Sequence, residues 1–271
     1  MNRRLFLGGG IFIPGIIREG TFQVPPAPAV CQGRLAVVSS PATTLYFTPY
    51  KGSRVIWGAG DVTLSGWACS VTNAGLAAST IYYAYLNSTG ALELSPIGHA
   101  GQPNGDRTKI GDPTRLLVGM VYTDSAARFR NETGFANVIS YHNRLPMFAA
   151  GVGATVTTSS PTWSDLGAAS QNLIELLTWG YELGIANNVT MGISGGAKAS
   201  GRIDVVFGTV GLGPEVPVSS WIPVTSSEYQ NASGASTMGL PEGHHVITLW
   251  ARAYGGGTAE LSVNTFAEVV G

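Results

Sequence analysis

The sequence predicts an all-β protein built from stacked antiparallel sheets, and three observations support that prediction. First, 37 glycines and 15 prolines interrupt nearly every window long enough for a helix. Second, short runs rich in Val, Ile, Tyr and Thr recur between turn clusters from residue 34 onward. Third, apolar and polar side chains alternate along residues 244–254, which is the period of a strand with one buried face.

The first unit, residues 1–33, is predicted to be an extended docking arm with a proline-rich linker, "PPAPA" at 25–29. Its first twenty residues carry eight large apolar side chains, and burying each of them is worth about 1.5–3 kcal/mol. Ordering the backbone costs a similar total, roughly 1–2 kcal/mol per residue. We therefore expect the arm to insert into a partner that offers a ready-made surface. The candidate docking residues are Arg3, Arg4, Leu5, Phe6, Leu7, Ile11, Phe12, Ile13, Ile16 and Ile17.

Two other interpretations of this segment stay open. Its basic start, "RRLFL", looks like a twin-arginine export signal, with "APAV" at 27–30 as a small-residue cleavage site. Arg18 and Glu19 follow the apolar run directly, which weakens that interpretation. The segment could instead be a first strand of its own domain, although the proline spacer disfavours this. Leu5–Ile17 is far shorter than the roughly 20 residues that cross a bilayer, so no membrane span is predicted.

The second unit, residues 34–148, is predicted to be a β-sandwich. "NSTGA" at 87–91 is expected to be a hairpin loop, and residues 101–113 a long polar loop rich in turn residues. The predicted strands are "RLAVV", "TLYF", "RVIW", "WACSV", "IYYAYLN", "ALELS", "RLLVGMVYT" and "NVISYHN".

The third unit, residues 149–271, repeats the same pattern after a predicted boundary near 140–148. The one segment with an ambiguous period, residues 170–183, is expected to be a strand because Gly180 and Gly184 disfavour a helix. The predicted strands are "VGATVTT", "NLIELLTW", "VTMGIS", "RIDVVFGTV", "SSWIPV", "HHVITLWARAY" and "TAELSVNTF".

The run "HHVITLWARAY" has two different faces. Ile247, Leu249, Ala251 and Ala253 form a purely apolar face that we expect to meet a core. The opposite face carries large amphipathic groups, which suit an outer surface or a subunit contact. Its candidate residues for a trimer or ligand face are Trp250, Arg252 and Tyr254.

The composition excludes several partners. Charged residues make up 11% of the chain, against about 25% in typical soluble domains, and the net charge is −1. The chain therefore offers no electrostatic footprint for nucleic acid or for an anionic membrane. So low a charge content suits a subunit whose surface is Ser/Thr/Asn/Gly-rich or largely buried against neighbours.

Candidate catalytic and metal-binding motifs are weak. "GISGG" at 192–196 matches the G-x-S-x-G elbow around Ser194, but it leads into another strand and not a helix, so a glycine-rich hairpin is the expectation. No carboxylate pair, Cys/His couple or phosphate loop occurs at motif spacing. We predict no catalytic residue, no metal and no cofactor.

The remaining titratable residues are expected to be structural. Adjacent strand residues point to opposite faces, so His244 and His245 cannot chelate one ion, and all four histidines are expected at surfaces or interfaces. Asp106 and Asp112 are expected in a solvated loop, with a calcium loop as the alternative. Cys31 and Cys69 fit two buried free thiols, with a single disulfide as the alternative.

Several stretches resemble a recurring module of tailed-bacteriophage virion proteins of the tail-fibre, tail-spike and head-fibre types. They are "LYFTPYKGSRVIW", "GLAASTIYYAYLNSTGALEL", "DPTRLLVGMVYTDSAARFR" and "ISYHNR", in matching order over residues 40–146. "LPEGHHVITLWARAYGGGTAELSVNTFAEV" resembles the closing hairpin of trimeric jelly-roll domains on phage fibres. The resemblance implies a homotrimeric, β-rich, non-enzymatic virion component, with a β-sandwich virion module over 34–148 and a jelly-roll-like domain over 149–271. It implies no catalytic residues.

The sequence therefore predicts a virion protein that anchors to other virion subunits through its arm. It would be a tail fibre or adaptor, or a capsid-attached fibre or decoration protein, that contacts a host surface glycan or protein. Two alternatives from other classes are a spike-type glycan hydrolase, which needs convergent carboxylates in a groove, and a secreted bacterial adhesin that uses an export signal.

Overall fold

The computed structural model describes residues 30–145, 147–152, 155–162, 164–165, 174–180, 182–194, 198–207, 230–254 and 258–269. Over these residues it contains 23 β-strands and no helix. All strand pairs are antiparallel except one, which joins strands from the two halves of the chain. The predicted all-β fold of stacked sheets is confirmed.

The first half of the chain, up to residue 140, forms three sheets and adds two strands to a fourth. Its strands are β1 (Val30–Cys31), β2 (Gly33–Ala36), β3 (Thr44–Pro49), β4 (Arg54–Trp57), β5 (Gly60–Thr63), β6 (Ser70–Thr72), β7 (Ile81–Leu86), β8 (Leu92–Ser95), β9 (His99–Gly101), β10 (Arg107–Lys109), β11 (Asp112–Tyr122), β12 (Asn131–Glu132), β13 (Phe135–Ala136) and β14 (Val138–Ser140). Two small sheets have the orders β1-β4-β5 and β2-β3-β6. The six-stranded central sheet has the order β8-β7-β11-β10-β9, with β14 also paired to β11.

The second half contributes longer strands in two sheets. They are β15 (Met147–Val152), β16 (Val156–Thr158), β17 (Ser164–Asp165), β18 (Ile174–Trp179), β19 (Glu182–Ser194), β20 (Lys198–Phe207), β21 (Gln230–Gly239), β22 (Glu242–Tyr254) and β23 (Thr258–Val269). One sheet has the order β15-β23-β19-β21, with β16 also on β23. The other has the order β12-β13-β18-β22-β17, with β20 also on β22.

The main core lies between the central sheet and the two small sheets. Alternating side chains of each strand point into it, as Leu45 and Phe47 of β3 do with no exposed surface. Full burial of each such side chain is worth about 1.5–3 kcal/mol, so this layer supplies most of the sandwich's stability. Its members include Leu35, Leu45, Phe47, Val55, Trp57, Leu64, Tyr82, Ala84, Leu86, Leu116, Val118, Val121 and Phe129.

The central sheet is buried on its other face as well. Met120 and Ile139 pack there against Leu177 of β18 in a second, smaller core. β11 changes register between Leu117 and Gly119, which is a β-bulge. A side chain at Gly119 would collide with Leu35 and with the backbone carbonyl of Ile139, so only glycine fits there.

Most predicted strands are confirmed, and the exceptions have physical explanations. The hairpin loop at 87–91 is confirmed by bonds between Asn87 and Ala91. The predicted loop 101–113 is wrong in part, because Arg107–Lys109 pairs with both β9 and β11. The side chains of this segment are polar, so its sequence resembles a loop, although its backbone forms a short strand of the central sheet.

Residues 170–183 contain strands as expected, since Ile174–Trp179 is β18 and β19 begins at Glu182. β19 and β20, which flank residues 195–197, pair within different sheets, so the expected hairpin around Ser194 does not match this topology. Residues 195–197 and "SSWIPV" lie outside the described residues.

β13 pairs in parallel with β18 across the boundary predicted near 140–148. The domain limits stay a prediction.

Candidate functional site at the junction between the two halves

The structure describes some of the predicted site residues and not others. The whole docking arm lies within residues 1–29, outside the described residues. On β22, the Trp250 indole N–H donates to Thr248 Oγ1 at 2.8 Å, and Arg252 is half-buried. Only the backbone of Tyr254 is described, paired with Lys198. Ile247 and Ala253 are buried, which confirms that their face of β22 meets a core. The trimer or ligand role of the other face stays a prediction.

The candidate site lies instead at a junction where β18 and β22 meet the central sheet. We define the Glu242 cluster as Glu242 on β22 with Tyr83 on β7 and His99 on β9. The Tyr83 hydroxyl donates to Glu242 Oε1 at 2.8 Å, and His99 Nε2 lies 3.2 Å from both carboxylate oxygens. The side chains of His99 and Glu242 are 11% and 31% exposed, so the pair is largely shielded from water. These contacts tie the last part of the chain to the central sheet.

The electrostatics of the Glu242 cluster favour a charged carboxylate. Burial by itself raises the pKa of Glu242, but the contacts with His99 and Tyr83 outweigh it and hold that pKa below its ordinary value. Burial, reinforced by the hydrogen bond to Glu242, raises the pKa of Tyr83, so this phenol stays protonated and keeps donating. The Glu242 carboxylate is therefore ionised at neutral pH and accepts the hydrogen bond from Tyr83.

Aromatic rings enclose His99. The centroids of Tyr83, Trp179 and Tyr141 lie 5.4, 6.0 and 6.2 Å from the imidazole. Tyr141 and Trp179 also pack edge-to-face at 5.0 Å, and the Arg144 guanidinium lies over both rings at 4.8 and 5.9 Å. The Trp179 indole N–H donates to the Ser140 carbonyl at 3.2 Å. Such a rigid aromatic cage fixes the ring orientation of the histidine.

A second group, the Glu175 cluster, lies further along the same junction. His244 of β22 stacks on Tyr122 of β11, with centroids 3.6 Å apart and planes 8° from parallel. His244 Nε2 is 3.5 Å from Glu175 Oε2, which is an ion-pair distance, and Asn137 Nδ2 donates to the same oxygen at 3.2 Å. Burial alone would raise the pKa of Glu175, but His244 and Asn137 outweigh it, and the pKa lies below its ordinary value.

The histidines were expected at surfaces or interfaces, but two of them are buried within the chain. His244 and His245 are 7% and 0% exposed. They do point to opposite faces: His245 Nε2 lies 3.0 Å from the Pro241 carbonyl and 3.1 Å from Thr178 Oγ1, away from Tyr122. Burial lowers the pKa of His245, so this imidazole is neutral. His142 behaves similarly, with a pKa lowered by burial and Nε2 3.1 Å from the Leu117 carbonyl.

The other titratable candidates are structural. Asp106 is 2% exposed, so the expectation of a solvated loop is wrong for it; its carboxylate accepts the Gly58 N–H at 3.0 Å. Cys31 and Cys69 are free thiols as expected, and burial raises the pKa of each to about 11, which leaves them unreactive at neutral pH. Within the described ranges, no three His, Cys, Asp or Glu side chains converge to hold a metal ion. No helix among those residues could cross a membrane.

Sequence reasoning missed both clusters for a clear reason. Tyr83 and Glu242 are 159 residues apart in the chain, and His99 and Glu242 are 143 apart. The single available signal in the sequence was that Glu242 and two histidines stand at the start of a predicted strand whose later residues alternate between an apolar and an amphipathic face. What the junction can do chemically is join two sheets through hydrogen bonds and close contacts to two glutamate carboxylates.

Comparisons with known proteins give no family. No family model and no curated protein matches the chain. Among solved structures, it is similar to the infectious bursal disease virus VP2 subviral particle, with a TM-score of 0.36 and 10% identity over 49% of this chain and 35% of that chain. The Gx strain of the same virus gives a TM-score of 0.37 and 12% identity over 90% of this chain and 70% of that one. The Cry8Ea1 insecticidal delta-endotoxin of Bacillus thuringiensis gives a TM-score of 0.28 and 10% identity over 88% of this chain and 52% of that chain.

This chain thus spans about a third of the length of the subviral-particle protein. TM-scores of this size carry no conclusion about what the chain does.

Proposed function

We propose that this chain is a structural component of a bacteriophage virion, either a tail fibre or adaptor or a capsid-attached fibre or decoration protein. In this proposal it assembles as a homotrimer, anchors to neighbouring virion subunits through residues 1–20 and contacts the host surface with its folded part. It binds and does not catalyse.

The observation that carries the proposal is where the stretches that resemble a phage virion module fall in the fold. "LYFTPYKGSRVIW" supplies β3 and β4, "IYYAYLNSTGALEL" supplies β7 and β8, and "DPTRLLVGMVYT" supplies β11. These strands build both sides of the main core. The resembling stretches therefore supply strands on both sides of one packed core, and not only a scattered set of turns.

The junction supports a binding role for the assembled chain. Its two glutamate clusters and its aromatic cage join the sandwich to the strands that follow, which favours a rigid scaffold over a moving catalytic cleft. The low charge content, 11%, suits a chain that buries much of its surface against neighbours.

Electron microscopy of intact particles with a gold label on this chain tests the location. We expect discrete label at the tail or on the capsid surface. Absence from the particle, or an N-terminus at residue 30 or beyond on secreted protein, would contradict the proposal, and the latter would support the adhesin alternative.

Light scattering of virion subunits mixed with the full-length chain, or with a variant lacking residues 1–20, tests the arm. We expect both proteins to be folded, but only the full-length chain to form a complex of higher mass with the virion subunits. Two matched double variants separate apolar insertion from charge. Loss of assembly in Phe6→Ser/Phe12→Ser indicates apolar insertion, and loss in Arg3→Gln/Arg4→Gln indicates an effect of charge. Normal assembly of the truncated chain would contradict the anchoring role, and shortened host polysaccharide after incubation would support the hydrolase alternative.

A further inference from the structure

We propose that the outer face of the β2-β3-β6 sheet binds an acidic oligosaccharide. The proposal rests on the proposed function, because it assigns host contact to one surface and one ligand class. We call the surface the aromatic strip and define it by Tyr46, Tyr50 and Trp67 with Arg34 and Lys51.

The strip follows from the alternation of β3. Leu45 and Phe47 point into the main core with no exposed surface, so Tyr46 and Thr48 point outward. Tyr50 continues the outward series and is 42% exposed. At about 3.3 Å per residue, Tyr46 and Tyr50 are separated by roughly 13 Å. The face is therefore an elongated platform and not a point contact.

One end of the strip is aromatic. Trp67 is 55% exposed, and Tyr46 meets it edge-on with ring centroids 5.0 Å apart and planes at 85°. Such a contact holds the indole in place while its surface stays open to water. A fixed, open aromatic face suits the apolar C–H face of a sugar ring, and Trp, Tyr and Arg dominate binding energy at protein surfaces.

The other end of the strip is cationic. The Arg34 guanidinium lies 5.5 Å from the Tyr50 ring centroid, and the Lys51 ammonium lies 5.7 Å from it. Neither cation has a carboxylate partner among the residues that the structure describes. Among the other cations up to residue 140, Arg107 forms no ion pair with a described residue, whereas five do: Arg54, Lys109, Arg115, Arg128 and Arg130. Two unpaired cations held beside one ring are suited to bind an anionic group.

Hydroxyl groups border the aromatic end. Ser70 lies directly opposite Tyr46 on β6, and Thr72 lies opposite Thr44. Residues directly opposite on neighbouring strands share a face, so these hydroxyls lie on the strip's side of the sheet. Ser70 and Thr72 are exposed, which leaves hydrogen-bonding groups for the hydroxyls of a sugar.

Charge decides between an oligosaccharide and the other occupants. The docking arm carries Arg3, Arg4 and Arg18 against Glu19, a net charge of +2, so the two cations of the strip would repel it. A nucleic acid strand needs a long positively charged track, and this strip offers two cations in a chain of net charge −1. An oligosaccharide with a few carboxylates matches both ends of the strip.

Calorimetric titration of the full-length chain with oligogalacturonate, and with its neutral methyl-esterified counterpart, tests the proposal. We expect binding of the acidic probe that weakens with salt. Trp67→Ala should weaken it about tenfold or more, and Arg34→Gln/Lys51→Gln should remove the preference for the acid over the ester. Two controls, Ile110→Ala and Arg107→Gln, alter equally exposed positions outside the strip and should leave binding unchanged.

The outcomes separate this proposal from the proposed function. No binding of the acidic probe, or binding that the strip variants leave intact, would overturn the strip. Tighter binding of oligo(dT) through the same residues, or a change of oligomeric state in Trp67→Ala without ligand, would overturn the ligand class. Electron microscopy of particles carrying Trp67→Ala should show the usual location. A chain that binds the probe but is absent from particles would overturn the proposed function alone.

Discussion

The main core and the junction stabilise the same central sheet in two different ways. On one face, Leu45 and Phe47 from β3 pack with their neighbours in one cluster of buried hydrophobic side chains. On the other face, a small apolar core around Met120 and Leu177 lies beside the Glu242 cluster and the Glu175 cluster. The difference teaches that the sandwich depends on packing, whereas the attachment of the second half depends partly on charge and therefore on pH.

The largest effect is expected in the main core. Phe47→Ala removes a ring with no exposed surface, and the cavity should cost about 3–5 kcal/mol of unfolding free energy, measured by urea denaturation. Phe47→Leu should cost clearly less, because it keeps most of the volume. Equal losses for the two variants would contradict a packing-dominated core.

A smaller effect is expected at the junction. Glu242→Ala leaves His99 and the Tyr83 hydroxyl without their acceptor, and we expect a loss of about 1–3 kcal/mol in the same denaturation experiment. Glu242→Gln keeps an acceptor oxygen and should lose less. If the alanine variant matched Phe47→Ala, the two faces of the central sheet would not differ as described.

The pH dependence should distinguish the two regions. The pKa values of Glu175 and Glu242 lie below their ordinary values in the folded state, so the unfolded chain takes up protons first. Their contribution is complete above the ordinary glutamate pKa of about 4.3 and is lost as pH falls from there through the lowered folded pKa.

Glu175→Gln/Glu242→Gln should therefore have a flatter stability curve than the wild type below about pH 4.5, while Phe47→Ala should keep the wild-type slope. Glu93 and Asp124 also have lowered pKa values but contribute equally to all three proteins. Thermal unfolding monitored by circular dichroism from pH 3 to 7 measures these slopes. Identical slopes in the double variant and the wild type would show that the clusters do not couple folding to pH.

The smallest effect is expected for an ion pair outside both regions. Arg54 and Asp61 form a surface salt bridge with both side chains more than half exposed, at 55% and 53%. Arg54→Gln should change the unfolding free energy by about 0–1 kcal/mol, because water and salt screen such pairs. A loss as large as that of Glu242→Ala would mean that burial is not what distinguishes the junction.

Most of the long strands were predictable from the sequence, but the junction was not. Alternation along residues 244–254 identified β22 and its buried face, with Ile247 and Ala253 in the core as expected. The same alternation placed His244 and His245 on opposite faces, but it could not show that both are buried. Burial depends on what packs against each face, and Tyr122 comes from a strand more than a hundred residues earlier. β10 was missed because its polar side chains resemble those of a loop.

The sequence by itself determined the all-β class, because strand periodicity and frequent glycine and proline are local properties of the chain. It also determined the low charge and the apolar arm that motivate the proposed virion role. Only the tertiary structure decided that Glu242 meets His99 and Tyr83, and that Tyr46 and Trp67 share an open face with Arg34 and Lys51. Such pairings depend on sheet order and register, which long-range packing selects from many arrangements with the same local pattern.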